Sequence, residues 1–334
     1  MRRLLALLTL GAAASAGARD ADGFLYLIHS PNDGSPAVLA PGESFEAALT
    51  GEMPLLLTND SGSYALEPQW ERLPDGGCRA ACAVPAAAAP GLYALEAGEG
   101  AGADRNERAV CIVETSPESY LAAHIAAPRI GSERHERPAA GIFTEVAAAV
   151  NASGAALALI SGDLTEHGDP AELRGFLEVL NTCTIPTFVS PGPRDRAVAV
   201  RAFGPAARTV RYGHDGFLAF GGQDTRVSGE FGAEDARVQR LRRVIKPSRW
   251  SIGLCDSCGR GMGMRAQMTL FLDDPLDHVL CGPDGGEGEE PALPPWGTVP
   301  VTQSPPSLDG FMRLINVTPT AIVPRDPRPV AKVK

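Results

Sequence analysis

Leu157-Ala158-Leu159-Ile160-Ser161-Gly162-Asp163-Leu164-Thr165-Glu166 begins as a buried strand and ends in an abrupt Gly-Asp turn. Residues 155–160 are all apolar, a run too short to span a bilayer but suited to a central parallel strand covered on both faces. Gly162 permits a tight turn, and Asp163 is left at the strand's carboxyl end, where open α/β sheets bind their ligands. A helix signal follows at once. Asp169 suits the N-cap, Pro170 suits the first helical position, and residues 171–180 carry helical apolar spacing. Residues 185–190 then read as a second strand, which stops at Pro191-Gly192-Pro193-Arg194-Asp195. The unit is strand, corner, helix, strand, with two Gly-Asp-like corners at one edge of a sheet.

The pattern extends in both directions. Residues 120–126 read as a strand that runs into Ala127-Pro128-Arg129. Residues 250–254 form another, followed by Cys255-Asp256-Ser257-Cys258, and residues 279–281 a third, followed by Gly282-Pro283-Asp284-Gly285. Residues 216–222 and 311–323 read as strand or hairpin segments, and residues 232–246 and 264–272 as helices. The arginines of residues 232–246 suit a solvated helix face, and the methionines near residue 268 suit core packing. Residues 285–306, dense in Gly, Glu and Pro, suit a long surface loop.

This order of strands and corners resembles the calcineurin-like metallophosphoesterases, in the purple-acid-phosphatase-like arrangement with a β-sandwich in front. The resemblance covers residues 118–325. It implies an α/β (α+β) fold: a β-sandwich flanked by helices, with two metal ions at the carboxyl ends of the strands. In that family the ligands come from Asp-x-His, Gly-Asp, Gly-Asn-His-Asp/Glu, a lone His and Gly-His-x-His. Carried over position by position, the first motif falls on Ala127-Pro128-Arg129, where both ligands are missing unless His124 substitutes from inside the strand. The second survives as Gly162-Asp163. The third reads Gly192-Pro193-Arg194-Asp195, so Pro193 replaces the Asn ligand and Arg194 the His that would protonate the leaving group. Cys255-Asp256-Ser257-Cys258 stands where the lone His is expected, and Gly282-Pro283-Asp284-Gly285 has lost both of its His residues.

Chemistry gives these losses their meaning. A pair of divalent ions needs a bridging carboxylate and several imidazole, carboxylate or amide ligands to activate water and offset phosphoryl charge. Asp163 is the only retained ligand, with Asp195 and Asp284 as further carboxylates, while Arg129 and Arg194 would repel cations. The six His, at 29, 124, 135, 167, 214 and 278, all fall outside the motif slots. The sequence therefore predicts a pseudoenzyme with a binding or scaffolding role and no cofactor. A first alternative is an active phosphoesterase with a rebuilt Mn, Fe or Zn pair, held by Asp163, Asp195, Asp256, Asp284 and a stray His. A second is a thiol/disulfide protein using Cys255 and Cys258. Two readings apply to Arg129 and Arg194. They pair with neighbouring acids (Asp163, Glu166, Asp195, Asp256 and Asp284) and fill the metals' volume, or they grip an anion such as phosphate or a carboxylate.

Length and composition suit an exported protein of about two domains. Met1-Arg2-Arg3 is a basic start, residues 4–14 are an apolar core, and Ala14-Ser15-Ala16 or Ala16-Gly17-Ala18 offers a cleavage site, so residues 1–18 read as a signal peptide. Residues 22–115, with short strands at 24–28, 45–49, 54–58, 91–95 and 109–113, suggest a small antiparallel β-sandwich. Residues 118–325 carry the phosphoesterase-like part, and residues 326–334 a tail. No later segment is apolar enough to span a bilayer. A formal charge of −10 argues against nucleic acid as a partner and leaves a protein or small anion. Seven cysteines leave at least one thiol unpaired within the chain. Cys255 and Cys258 have the spacing of a redox or zinc half-site, or of a local structural disulfide or buried thiols, and Cys78 and Cys82 pair with each other or with Cys111.

Overall fold

The opening stretch folds as strand Leu157–Gly162, with every residue buried. In the computed structural model, the described residues are 24, 27–74, 76–134, 136–220, 233–256, 268–283 and 298–331. Leu157–Gly162 lies between Tyr120–Ala126 and Thr187–Pro191, parallel to both. Phe311–Val317 adds antiparallel to Tyr120–Ala126 and carries Ile322–Pro324 at the far edge. A second sheet runs Arg208–Tyr212, Asp215–Ala219, Ser251–Cys255, His278–Cys281, Val301–Gln303; its last four strands are parallel.

The two sheets pack face to face. Tyr120, Ala122, Leu157, Leu159 and Phe188 of the first meet Phe217, Ala219, Ile252, Leu254 and Leu280 of the second. Helices Ala139–Asn151, Pro170–Leu180 and Arg196–Phe203 cover the outer face of the first sheet, and Ala233–Ile245 covers that of the second. The fold is α/β, a sheet-on-sheet sandwich between helices. Asp169 caps its helix as its sequence suggests, accepting from Ala171 N at 2.7 Å, a bond worth about 1 kcal/mol.

A polar clamp closes the end of the sandwich away from the corners. Asp215 is fully buried, and Arg249 grips it with two bonds of 2.9 and 2.7 Å. Tyr120 of the opposite sheet donates to the same carboxylate at 2.9 Å. The clamp thus joins the first strand of one sheet to the hairpin of the other.

Residues 28–112 form a sandwich with its own core around Phe45, Leu57, Tyr93, Leu95 and Val110. Its four-stranded sheet runs Ile28–Ser30, Ser44–Leu49, Cys78–Ala83, Gln69–Arg72. Its five-stranded sheet runs Ala37–Leu39, Asp104–Ile112, Gly91–Ala97, Leu55–Asn59, Gly62–Ala65. The sandwich caps the outer edge of strand Thr187–Pro191. Val189 N donates to Gly34 O at 2.9 Å, and Thr187 Oγ1 donates to Asp33 O at 2.7 Å. A Cβ on Gly34 would lie 2.5 Å from the Phe203 ring, so the approach needs glycine. Buried Arg108 donates to Leu180 O and Ile185 O across the same junction.

Several expectations shift. Helix Ala139–Asn151 has no counterpart among the expected elements: it starts at Pro138 without a side-chain cap, and its Ala-rich stretch gives a weak signal beside Ile142, Phe143, Val146 and Val150. The segment expected as loop contains strand Val301–Gln303, because Val279 N reaches Pro300 O and ladders onward. Residues 285–297 of that segment lie outside the described residues. Of the second helix expected at 264–272, residues 264–267 lie outside the described residues, and residues 269–272 fall in the wide turn Thr269–Asp273. The expected tail includes Arg328–Pro329, paired to Phe311–Val317. Of the expected strand at 24–28, only Ile28 lies in a strand, and residues 25 and 26 lie outside the described residues.

The cysteine pairing expected in the front sandwich does not hold. Cys78 and Cys82 lie on one strand, four residues apart, roughly 13 Å at the extended rise and beyond disulfide reach. Cys111 belongs to the other sheet and its thiol lies near Arg108. Cys78, Cys82, Cys111 and Cys183 are all buried free thiols.

Candidate functional site

The corner loops hold each other through backbone bonds. Ala127 N donates to Ser161 O at 2.8 Å, Arg129 N to Asp163 O at 3.1 Å, and Gly192 N to Gly162 O at 3.0 Å. On the second sheet, Gly282 N donates to Cys255 O at 3.2 Å. A Cβ on Gly282 would meet Asp256 O at 2.7 Å and Ser161 O at 3.7 Å, so the corners of the two sheets face each other. The ends of the strands before Ala127, Asp163, Gly192, Asp256 and Gly282 therefore converge at one edge.

Glycine is needed twice here. Gly162 turns with φ of 88°, in the left-handed region. A Cβ on Gly192 would come within 2.3 Å of Asp163 Oδ1 and 2.6 Å of Asp163 N, and the second contact is backbone that cannot rotate away. Ala127 and Arg129 also sit left-handed, with φ of 44° and 49°. For side-chain-bearing residues this costs about 1–2 kcal/mol each. The corner that lacks the first-motif ligands is thus a strained one.

Asp163 points into a short chain of alternating charges. Arg194 Nε stands 3.0 Å from Asp163 Oδ2, and Arg194 N donates to Asp163 Oδ1 at 3.4 Å. Arg194 Nη1 reaches Glu166 Oε1 at 2.6 Å and Glu166 O at 2.9 Å. Arg129 Nη2 donates to the same Glu166 Oε1 at 3.0 Å, with its Nε 2.8 Å from Oε2. The order is Asp163, Arg194, Glu166, Arg129, and the formal charges cancel. Burial pushes the Asp163 carboxyl up, while the Arg194 amide and the two guanidinium groups pull it down.

Asp195 does not join this chain. It is fully buried and turned back into its own corner. Its oxygens accept from Leu164 N and Thr165 N at 2.8 Å each, Gly192 N at 3.0 Å and Thr165 Oγ1 at 2.5 Å. Burial pushes its carboxyl up to about 7 against the pull of those donors. Asp195 braces the Gly162 and Gly192 corners to one another, with its lone pairs spent on the protein.

Beneath the corners the inter-sheet layer turns polar. His124 is fully buried, with Nδ1 2.7 Å from Ser304 Oγ and Nε2 2.9 Å from Ser161 Oγ. Arg313 Nε donates to Ser304 Oγ at 3.2 Å. Burial and then Arg313 push the His124 pKa down to about 3, so the ring is neutral. Both ring nitrogens are engaged, and His124 does not reach out as a substitute ligand. Elsewhere His167 pairs with Glu172 at 2.7 Å, and His214 stands 3.2 Å from Glu118. Buried His278 meets Thr302 at 2.9 Å.

Asp284, Cys258 and His135 lie outside the described residues. Among the described residues, no group of three His, Cys, Asp or Glu side chains stands placed to hold a metal ion. The donor chemistry agrees. Asp163 is gripped by a guanidinium, Asp195 by four donors, and His124 by two hydroxyls, so these residues do not fit a two-metal centre. Glu166, the hub of the charge chain, was legible only as one of several nearby acids.

No protein-family model matches the chain, and no curated protein matches it. Among solved structures, a purple acid phosphatase from yellow lupin (Lupinus luteus) seeds shares 8% identity, with a TM-score of 0.42, over 73% of this chain and 57% of its own. A structure of PhoD shares 9% identity, with a TM-score of 0.42, over 88% of this chain and 84% of its own. The chain spans little more than half the length of the lupin protein. The architecture rests on the strand order and registers of the two sheets.

Proposed function

We propose that this chain is an exported calcineurin-type phosphoesterase scaffold whose two-metal centre has given way to an internal guanidinium–carboxylate chain, and that it acts by binding rather than by hydrolysis. One observation carries the reading. Arg194 lies 3.0 Å from Asp163 and 2.6 Å from Glu166, so the one retained ligand position already has a cation, and that cation is covalently part of the protein. A guanidinium neutralises carboxylates through directed bonds, but it has no open coordination position at which to activate water. The corner glycines and Asp195 keep the backbone frame.

The occupant of the scaffold is a protein or a small anion. Export is supported by the basic start at Arg2-Arg3 and the apolar residues 4–14. No helix of the described residues is long and apolar enough to cross a membrane.

The test is turnover of a generic phosphomonoester and a phosphodiester by the full chain, with and without added manganese, iron or zinc. No hydrolysis above the buffer rate is expected in any condition. Metal-dependent turnover that disappears in Asp163→Ala would overturn the proposal and establish a rebuilt centre instead.

A further inference from the structure

Cys255 and Cys281 end two neighbouring strands of the second sheet and are ladder partners in the parallel register that runs from Ile252↔His278 to Cys255↔Cys281. Strands so paired stand roughly 4.8 Å apart, inside the ~4.4–6.8 Å window of Cα separations that a disulfide spans. Partners across a ladder project to the same face, and both side chains are fully buried in the core beneath helix Ala233–Ile245. Cys255 Sγ lies 3.9 Å from Leu280 O, directly before its partner, and Gly282 N donates to Cys255 O directly after it. The register around the pair is therefore fixed on both sides. Among the other described cysteines no two are ladder partners.

We propose that Cys255 and Cys281 are a modification site at which a low-molecular-weight disulfide converts the two thiols to a cross-strand disulfide. One cysteine thiolate attacks the oxidant and expels one thiolate, forming a mixed disulfide. The second cysteine attacks that bond and expels the other. The balance is two cysteine thiols and one small disulfide giving one protein disulfide and two small thiols, with two electrons leaving the protein. Apolar burial disfavours the thiolate, so the exchange precedes the closing of helix Ala233–Ile245 over the pair. The bond staples the two central strands of the second sheet immediately before the corners at Asp256 and Gly282. It is a structural link, distinct from thiol exchange through Cys255 and Cys258, and it does not rest on the proposed function.

The test uses the full chain, refolded from denaturant in a mixture of small thiol and small disulfide, alkylated under denaturing conditions and digested without reduction. Cleavage at arginine yields peptide 250–260, with Cys255 and Cys258, and peptide 266–313, with Cys281. The expected product is these two peptides joined, separated by reductant, with the link staying on the Cys255 fragment after further cleavage before Asp256. Cys258→Ser should retain the joined species and Cys281→Ser should lose it. Full alkylation of both cysteines in the wild type, a Cys255–Cys258 link, or loss of the joined species in Cys258→Ser overturns the proposal. Each readout is taken on denatured chains after identical refolding, and the wild-type result decides alone if a variant fails to fold.

Discussion

Arg194 Nε sits 3.0 Å from Asp163 Oδ2, across a corner where Gly192 leaves room for nothing larger than hydrogen. The charge chain therefore depends on backbone shape as much as on charge, and the two can be tested separately.

Arg194→Ala removes the central cation and leaves Asp163 and Glu166, about one-fifth exposed each, facing one another. A fully buried pair would cost about 3–5 kcal/mol to break, but Arg194 is 43% exposed and water screens the loss. The expected destabilisation is about 1–2 kcal/mol by urea unfolding. Arg194→Lys should recover only part of it, since an ammonium cannot bridge both carboxylates with a planar fork. Unchanged unfolding in both variants would show that the chain of charges contributes nothing to the fold.

Gly192→Ala should be worse than its size suggests. The added carbon meets Asp163 N at 2.6 Å and the Gly162 carbonyl carbon at 2.9 Å, both backbone. Overpacking of this kind costs about 1–3 kcal/mol. The corner must open, so the Asp163–Arg194 contact should also weaken. A double variant with Arg194→Ala should then lose less than the sum of the two single losses, which a cycle of unfolding measurements checks.

At the other end of the sandwich, Arg249→Ala strands Asp215, which has no exposure at all. The expected cost is about 3–5 kcal/mol. Asp215→Asn in the Arg249→Ala background should recover stability, because the neutral amide no longer needs a cation. Failure of that rescue would mean that packing, not charge, sets the value of the clamp.

Acid should loosen the fold through His124. Its folded pKa is near 3, while the unfolded chain binds a proton at its ordinary value of 6.5. Between those values the unfolded state holds the extra proton, so stability is fully present above about 6.5 and is lost as the pH falls toward 3. His278, pushed down to about 4 by burial, acts in the same direction. Urea midpoints measured at several pH values should fall less steeply for His124→Asn than for the wild type. Parallel curves would show that His124 has no part in the acid response.

The corners were legible in the sequence because their constraints are local. Gly162 and Gly192 announce turns, Asp169-Pro170 announces a helix start, and apolar runs announce the strands. What lay hidden depends on distance along the chain. His124 is held by Ser304, 180 residues away, and no local pattern joins them. Asp195 was visible as a corner carboxylate, but its direction was not, because the donors that turn it inward come from the previous corner. Helix Ala139–Asn151 is faint in the sequence for a different reason: its apolar stripe is diluted by alanines and it starts without a side-chain cap.

The loop at Asp33 and Gly34, bonded to strand Thr187–Pro191, has a consequence for inheritance. A sheet edge left bare recruits strands from other molecules. The back half, cut free of its front sandwich, would expose the Val189 main chain and the Thr187 hydroxyl and be drawn into aggregates. Recombination that swapped in a foreign front module would have to deliver a glycine against Phe203 and a carbonyl opposite Val189 at the same moment. The two halves are therefore built to move as one block, since parting them breaks the seam at Gly34 and Val189.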